Sequence, residues 1–298
     1  MVTGFLFWWR AAAAPGHIDV LLLLRSRIRR LAPLYLSCVA IIIMVVGIET
    51  RWTPSVPPST LAASLAQWAS FGLFGLSDIN GLSHTSVLDP ALWTLRYEWI
   101  FYLVLPGLSF LATPPRLASL AIVLMLLWLI GLPSPFDYIT ANFLVGMIVA
   151  QLVAARPLPR ILQSRGYAVA ALLPMVGFGL FGDGDFSVLE SVCLTPLFTV
   201  VAAGNCLFGA LASRAARCLG LVSYSTYVLH GVILYVTLAL ANRLVKVGDL
   251  DPMTYWALML PISAIVVGVS PVSYRWIEYP FLAAPSPAAR RRIAVTRG

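Results

Sequence analysis

The segment Gly220-Leu221-Val222-Ser223-Tyr224-Ser225-Thr226-Tyr227-Val228-Leu229-His230 places Ser223, Tyr227 and His230 at i, i+4 and i+7, one face of a helix, with Tyr224 beside them. Histidine is the one side chain whose ordinary pKa lies near neutrality. An imidazole flanked by hydroxyls inside an apolar stretch therefore has the chemistry to move a proton or to hold a substrate group. A histidine satisfied by a neighbouring helix would give the same sequence pattern. Upstream, Asp89-Pro90-Ala91-Leu92-Trp93-Thr94-Leu95-Arg96-Tyr97-Glu98-Trp99-Ile100-Phe101-Tyr102 brings a cation and a carboxylate to the outer end of another apolar run. Residues two apart on a helix point in different directions, so Arg96 and Glu98 each need a partner from elsewhere. A charge at the bilayer centre costs about 2.5–3.5 kcal/mol, and less near the interface, which puts Glu98 at headgroup depth or against a polar cavity. Trp93, Tyr97, Trp99 and Tyr102 equally suit an interfacial aromatic belt around a solvated Glu98.

Two further clusters are cationic. Arg25-Ser26-Arg27-Ile28-Arg29-Arg30-Leu31-Ala32-Pro33 crowds four guanidinium groups into six residues where a helix enters the bilayer. Like charges at that spacing repel, and a bridging anion relieves them; phosphate suits arginine, whose planar fork binds two oxygens at once. The same block also reads as a positive-inside anchor touching anionic lipid. In Tyr274-Arg275-Trp276-Ile277-Glu278-Tyr279-Pro280-Phe281, Arg275 and Glu278 stand at i, i+3, where they could pair, and Pro280 is expected to end the helix; an aromatic anchor is the plainer reading. His17 and His84 fall in loop-like segments and are expected to be solvated. Cys38, Cys193, Cys206 and Cys218 have no Cys-x-x-Cys spacing, so they read as small packing residues and point to neither a disulfide framework nor a metal site.

Elements able to position these residues must lie in a membrane. With 60% hydrophobic and 11% charged residues and a mean hydropathy of +0.88, 298 residues cannot coat a soluble globule. The formal charge of +8 is nearly all arginine, Lys246 being the sole lysine, and gives no indication of nucleic-acid binding. Apolar runs near 31–49, 91–112, 117–132, 138–154, 166–182, 188–210, 220–241 and 254–274 predict an all-α polytopic bundle of about eight complete spans. The opening run Met1–Arg10 is too short to cross, since nine helical residues rise about 14 Å against a hydrocarbon core of about 30 Å, and it reads as a partial helix. The weaker stretch 60–76, holding Ser64, Gln67, Ser70, Gly72 and Gly75, is expected to be interfacial or re-entrant. On that count the alternate loops sort by charge. One side carries Arg25–Arg30, Arg116, Arg156, Arg160, Arg165, Arg214, Arg217 and Arg290–Arg292; the other carries mainly Asp137, Asp183, Asp185, Asp249 and Asp251, with Arg51, Arg243 and Lys246 as exceptions. The arginine side, with the C-terminus, is expected to be cytoplasmic. Residues 1–298 read as one membrane domain without internal repeats.

Taken together, four segments resemble the integral-membrane acyltransferase family 3, the O-acyltransferases of bacterial surface and exported polysaccharides. They are Arg27-x-x-Arg30-Leu-x-Pro33, Leu92-Trp93-Thr94-Leu95-Arg96-Tyr97-Glu98 with Phe101-Tyr102, Ser223-Tyr224-Ser225-x-Tyr227-x-x-His230, and Arg275-x-Ile277-Glu278-x-Pro280-Phe281. The resemblance implies an acyl-CoA co-substrate, most often acetyl-CoA, no permanently bound cofactor and no metal, and a sugar hydroxyl of a glycan or lipid-linked sugar as acceptor. It implies His230, Glu98 and Tyr227 as catalytic candidates, Arg27, Arg30 and Arg275 as contacts for the acyl-CoA, and Trp93, Arg96, Ser223, Tyr224 and Glu278 as substrate contacts. It also implies ten crossings, with a general-base histidine on the first. Val2-Thr3-Gly4-Phe5-Leu6 resembles the signature inside the second crossing, so the expectation is an N-terminally shortened chain in which His230 matches a different family position with a supporting role. An inactive relative that binds without turnover, or a carrier for an anion or lipid-linked sugar, are the alternatives; a carrier would be expected to show broken helices in repeated halves.

Overall fold

A computed structural model describes residues 1–13, 15–16, 18–110, 112, 138–155, 158–182 and 188–283. Among these, every regular element is helical: α1 (Val2–Ala13), α2 (Val20–Glu49), α3 (Pro58–Ala69), α4 (Leu95–Ser109), α5 (Tyr138–Ala155), α6 (Arg165–Phe181), α7 (Val188–Ala202), α8 (Arg214–Ala241), α9 (Pro252–Ser273) and α10 (Tyr279–Ala283), with short 3-10 turns between several of them. Among the described residues three runs are long and apolar enough to cross a bilayer: α2, α8 and the continuous stretch Pro252–Ala283. Shorter apolar helices cover Ala141–Ala154, Arg165–Phe181 and Leu189–Ala202. The chain is an all-α, multi-pass membrane protein. The expected crossing at 117–132 lies outside the described residues, as do His17 and, from the charge sorting, Arg116, Arg156, Asp137, Asp183, Asp185 and Arg290–Arg292.

Three expectations are corrected. The arginine block does not precede a helix but lies within the early turns of α2, which starts at Val20 and runs through Pro33. Arginine is a good helix former whose aliphatic stem lies along apolar surface, and membrane helices tolerate proline because neighbouring groups satisfy the freed carbonyl. Pro280 does not end its helix: Tyr274–Glu278 forms a π turn between α9 and α10, and the helix goes on to Ala283. Cys206 and Cys218 are exposed, so neither is a packing residue, whereas Cys38 is buried. The weak stretch at 60–76 contributes α3, started by Pro58 at its first turn and, at 12 residues, too short to cross.

The chain divides into two compact units, residues 1–23 with 97–218, and residues 24–96 with 219–298. In the first unit α1 lies directly on α5. A Cβ on Gly4 would stand 2.4 Å from the Phe143 carbonyl oxygen, and one on Gly146 would stand 2.0 Å from that of Met1. In lipid there is little hydrophobic force between helices, so such close backbone approach through small residues is a main source of packing. Phe101 stacks on Phe143 at 4.8 Å, and the buried Trp8 donates its indole N–H to Gln151 Oε1 at 2.9 Å. In the second unit, polar side chains tie helix to helix. Tyr35 donates to the Trp68 carbonyl at 2.6 Å, Tyr224 to the Leu31 carbonyl at 2.8 Å, and the Thr226 and Ser270 hydroxyls meet at 2.9 Å.

Candidate functional site

The second unit gathers most of the residues singled out by sequence. On α8, His230 is half-exposed, and its Nδ1 lies 2.7 Å from the Tyr227 carbonyl oxygen. A carbonyl only accepts, so Nδ1 carries the proton in this contact and Nε2 holds the lone pair of the neutral ring. The helix thus fixes the tautomer by a bond to its own previous turn, and Nε2 is the nitrogen able to accept a proton.

Tyr227 is anchored one step further. Its hydroxyl lies 2.8 Å from the Ala91 carbonyl and against the Thr94 hydroxyl, itself 3.0 Å from that carbonyl; one of the two hydroxyls donates to the carbonyl and the other to its neighbour. Ala91 caps and Thr94 closes the turn Leu92–Thr94 that leads into α4, so Tyr227 staples that turn to α8. The tyrosine and imidazole ring centroids lie 6.0 Å apart.

Behind this pair stands Asp89, which is not among the residues that the motifs single out. It is 1% exposed. Its Oδ1 accepts the Ala91 backbone N–H at 3.1 Å and its Oδ2 accepts the Cys38 thiol at 3.3 Å, while the same thiol lies 3.4 Å from the Val228 carbonyl. A Cβ at Gly231 would be 2.6 Å from Asp89 Oδ1 and 2.8 Å from its Cα, so only glycine lets α8 approach so closely. Burial pushes the Asp89 carboxyl up to about 6, against the Ala91 N–H, the Cys38 thiol and the charge of His230, which favour its ionised form. Sequence offered one signal for it, the Asp-Pro pair before an apolar helix. Nothing in that pair indicated that residue 231 would lie against it.

The remaining candidates separate by exposure. Tyr224, expected beside the reactive face, is turned inward and bonded to the Leu31 carbonyl, so it ties α8 to α2. Ser223 is exposed and donates to the Gly220 carbonyl at 2.9 Å. Glu278 does not pair with Arg275: it is 2% exposed, accepts a bond from Ser225 and has Arg30 as its charged neighbour, while Arg275 is exposed. In the π turn each residue advances less of a turn than in an α-helix, so three positions no longer return to the same face. Arg25 and Arg30 are exposed and Arg27 and Arg29 half-exposed on α2, Arg27 reaching the Ser26 hydroxyl at 3.4 Å. Trp93 and Arg96 are exposed at the start of α4.

Glu98 belongs to the first unit. It is half-buried and accepts from the Thr3 hydroxyl at 3.3 Å and the Tyr102 hydroxyl at 3.1 Å, the partners the Arg96–Glu98 spacing could not supply. Thr3 stands one residue before the Gly4 that seats α1 on α5, so the packing of α1 also places a donor on this carboxylate.

The family model described as an acyltransferase domain matches residues 1–275. Neither a search of curated proteins nor one of solved structures finds a match.

Proposed function

The chain belongs to that acyltransferase family, and from this premise we propose that it is a membrane O-acyltransferase moving an acyl group, acetyl in the simplest case, from acyl-CoA to a sugar hydroxyl of a surface or exported glycan. The observation that carries the donor is the head of α2, where four arginines fall within six residues, all exposed or half-exposed. Such a cluster suits the polyanionic end of coenzyme A, whose phosphates relieve the mutual repulsion of the guanidinium groups and accept their paired N–H donors.

In the reaction the acceptor oxygen attacks the thioester carbonyl and loses its proton to a base; the new C–O bond replaces the C–S bond, and coenzyme A leaves as a thiolate that takes up a proton. His230 supports that transfer through Nε2, with the Tyr227 carbonyl fixing its ring. Glu98 is a further catalytic candidate, and Trp93 and Arg96 are substrate contacts, carried by the family motif. The protein resides in a bacterial inner membrane with about eight crossings, and the arginine-rich side and the C-terminus are cytoplasmic.

The test is calorimetric titration of acetyl-CoA into the protein in lipid nanodiscs. Arg30→Ala is expected to weaken binding about tenfold, the loss of one charge-assisted contact worth about 1.4 kcal/mol. Binding unchanged in that variant would overturn the placement of the donor. His230→Gln is expected to lower acyl transfer with acetyl-CoA binding intact.

A further inference from the structure

The acyl-transfer steps use neither Cys38 nor Asp89, although both are buried, at 0% and 1% exposure. A buried carboxyl is costly unless its oxygens find donors, and the two donors here lie on different segments. Cys38 comes from the middle of α2; its thiol reaches Asp89 Oδ2 at 3.3 Å and the Val228 carbonyl of α8 at 3.4 Å. The other donor is the Ala91 N–H, 3.1 Å from Oδ1 and two residues along the same chain. A residue before proline is driven to extended backbone, and Asp89, ahead of Pro90, has φ −146° and ψ 91°. Its short carboxylate folds back on the N–H two positions on, an Asx contact. Asp89 thus joins three pieces at one point: α2 through the thiol, α8 through the contact at Gly231, and the head of the Leu92–Thr94 turn through Ala91.

That turn presents one face inward and one outward. Ala91, Leu92 and Leu95 are buried, while Trp93 and Arg96 are exposed. Its own backbone bonds are the Thr94 N–H on the Ala91 carbonyl at 3.2 Å and the Leu95 N–H on that of Leu92. A single 3-10 turn has poor hydrogen-bond geometry and little stability of its own, so its setting depends on what grips it from outside. Both grips act on the peptide groups of Ala91. From α8 the Tyr227 and Thr94 hydroxyls close on its carbonyl, and from the α2 side Asp89, tied by Cys38, takes its N–H. The Trp93 and Arg96 side chains therefore issue from a fixed base on the stretch of α8 that carries His230.

We propose that Cys38 and Asp89 are positioning residues for acyl transfer: the thiol on α2 holds the carboxylate, the carboxylate holds Ala91, and the turn so fixed sets the substrate contacts Trp93 and Arg96 relative to His230. The part in transfer rests on the function proposed above; the hold on the turn does not. Buried as they are, the two residues act through the turn and touch no substrate themselves. A serine in place of Cys38 keeps a donor at the same point, whereas alanine removes it and leaves Asp89 Oδ2 buried without a partner.

The test has two readouts. Hydrogen exchange with mass spectrometry, on the protein in nanodiscs, follows the peptide covering 89–96. Transfer of labelled acetyl groups from acetyl-CoA is counted in the glycan fraction of membranes that contain the protein. Cys38→Ala is expected to speed exchange of 89–96 at least about fivefold, while α2 and the 222–232 stretch of α8 stay within about twofold. It is expected to lower kcat about tenfold with KM for acetyl-CoA unchanged, as a misplaced contact does. Cys38→Ser is expected to restore both. Asp89→Asn serves should Cys38→Ala fail to fold: an amide has one oxygen, so either the Ala91 N–H or the thiol loses its acceptor, and the same localised rise in exchange is expected. Exchange of 89–96 equal to that of the parent, or a rise spread evenly over α2 and α8, overturns the proposal. So does undiminished transfer from a variant whose turn has loosened. Absence of transfer by the parent strikes the function proposed above, and exchange then decides the hold on the turn by itself.

Discussion

Two glycines on α8 should respond to the same substitution with opposite signs. Gly231→Ala places a Cβ 2.6 Å from Asp89 Oδ1, 2.8 Å from Asp89 Cα and 2.9 Å from Asp89 Cγ, well inside ordinary van der Waals contact. The atoms met are backbone and the root of a short side chain pinned by Cys38 and Ala91, so no flexible tip can swing aside. Overpacking of this kind costs about 1–3 kcal/mol, only partly offset by the gain of about 0.5–1 kcal/mol that alanine brings to a helix interior. Gly220→Ala, eleven residues earlier on the same helix, meets nothing within 4 Å and keeps the whole of that gain. For a chain of this size 1 kcal/mol shifts the thermal midpoint by about 2–4 °C. Thermal unfolding in one detergent is therefore expected to show Gly231→Ala falling by several degrees and Gly220→Ala rising by about 1–4 °C. Because residue 231 follows His230, acyl transfer should fall with the former and hold with the latter. Equal shifts in the two variants would refute the claim that Asp89 and α8 touch through residue 231.

The carboxyl of Asp89 gives a pH prediction. Its folded value near 6 lies above the ordinary 3.8, so the folded state holds the proton more tightly. The associated stability is present below about pH 4 and is lost as pH rises through 6, at most about 3 kcal/mol. Asp89→Asn should flatten that stretch of a chemical-denaturation profile, and a profile identical to that of the parent would contradict the burial argument. Trp8→Phe strips Gln151 Oε1 of its buried donor in a chain where Gln151 Nε2 already has no partner, and should cost about 1–3 kcal/mol. Combining it with Gln151→Leu should recover much of that loss in a double-mutant cycle, whereas simple additivity would deny the coupling. Tyr224→Phe, removing the hydroxyl from the Leu31 carbonyl, should destabilise by about 1 kcal/mol with acetyl-CoA binding unchanged. Weakened binding would return Tyr224 to the substrate contacts.

What sequence could and could not reveal follows from the range of each interaction. Hydropathy and helical period act within one segment, so the apolar runs at 31–49, 220–241 and 254–274, which fall within α2, α8 and the stretch Pro252–Ala283, and the shared face of Ser223, Tyr227 and His230 are legible. The family motifs were equally local. Partner choice was not: Tyr224 and Tyr227 stand three residues apart, each flanked by hydroxyls, yet one bonds a carbonyl of α2 and the other a turn more than 130 positions away. The i, i+3 spacing that would let Glu278 pair with Arg275 holds only for an α-helical period; the π turn changes that period, and Ser225 from another helix is the partner. Asp89 is illegible in sequence for a related reason. Its significance rests on what is lacking at residue 231, a side chain, and a glycine in an apolar helix carries no sign of what will press against it. In a membrane, where apolar faces are nearly interchangeable with lipid, it is these pairings of buried polar groups and side-chain-free contacts that select one arrangement of helices. They depend on segments far apart in the chain and cannot be read from any one of them.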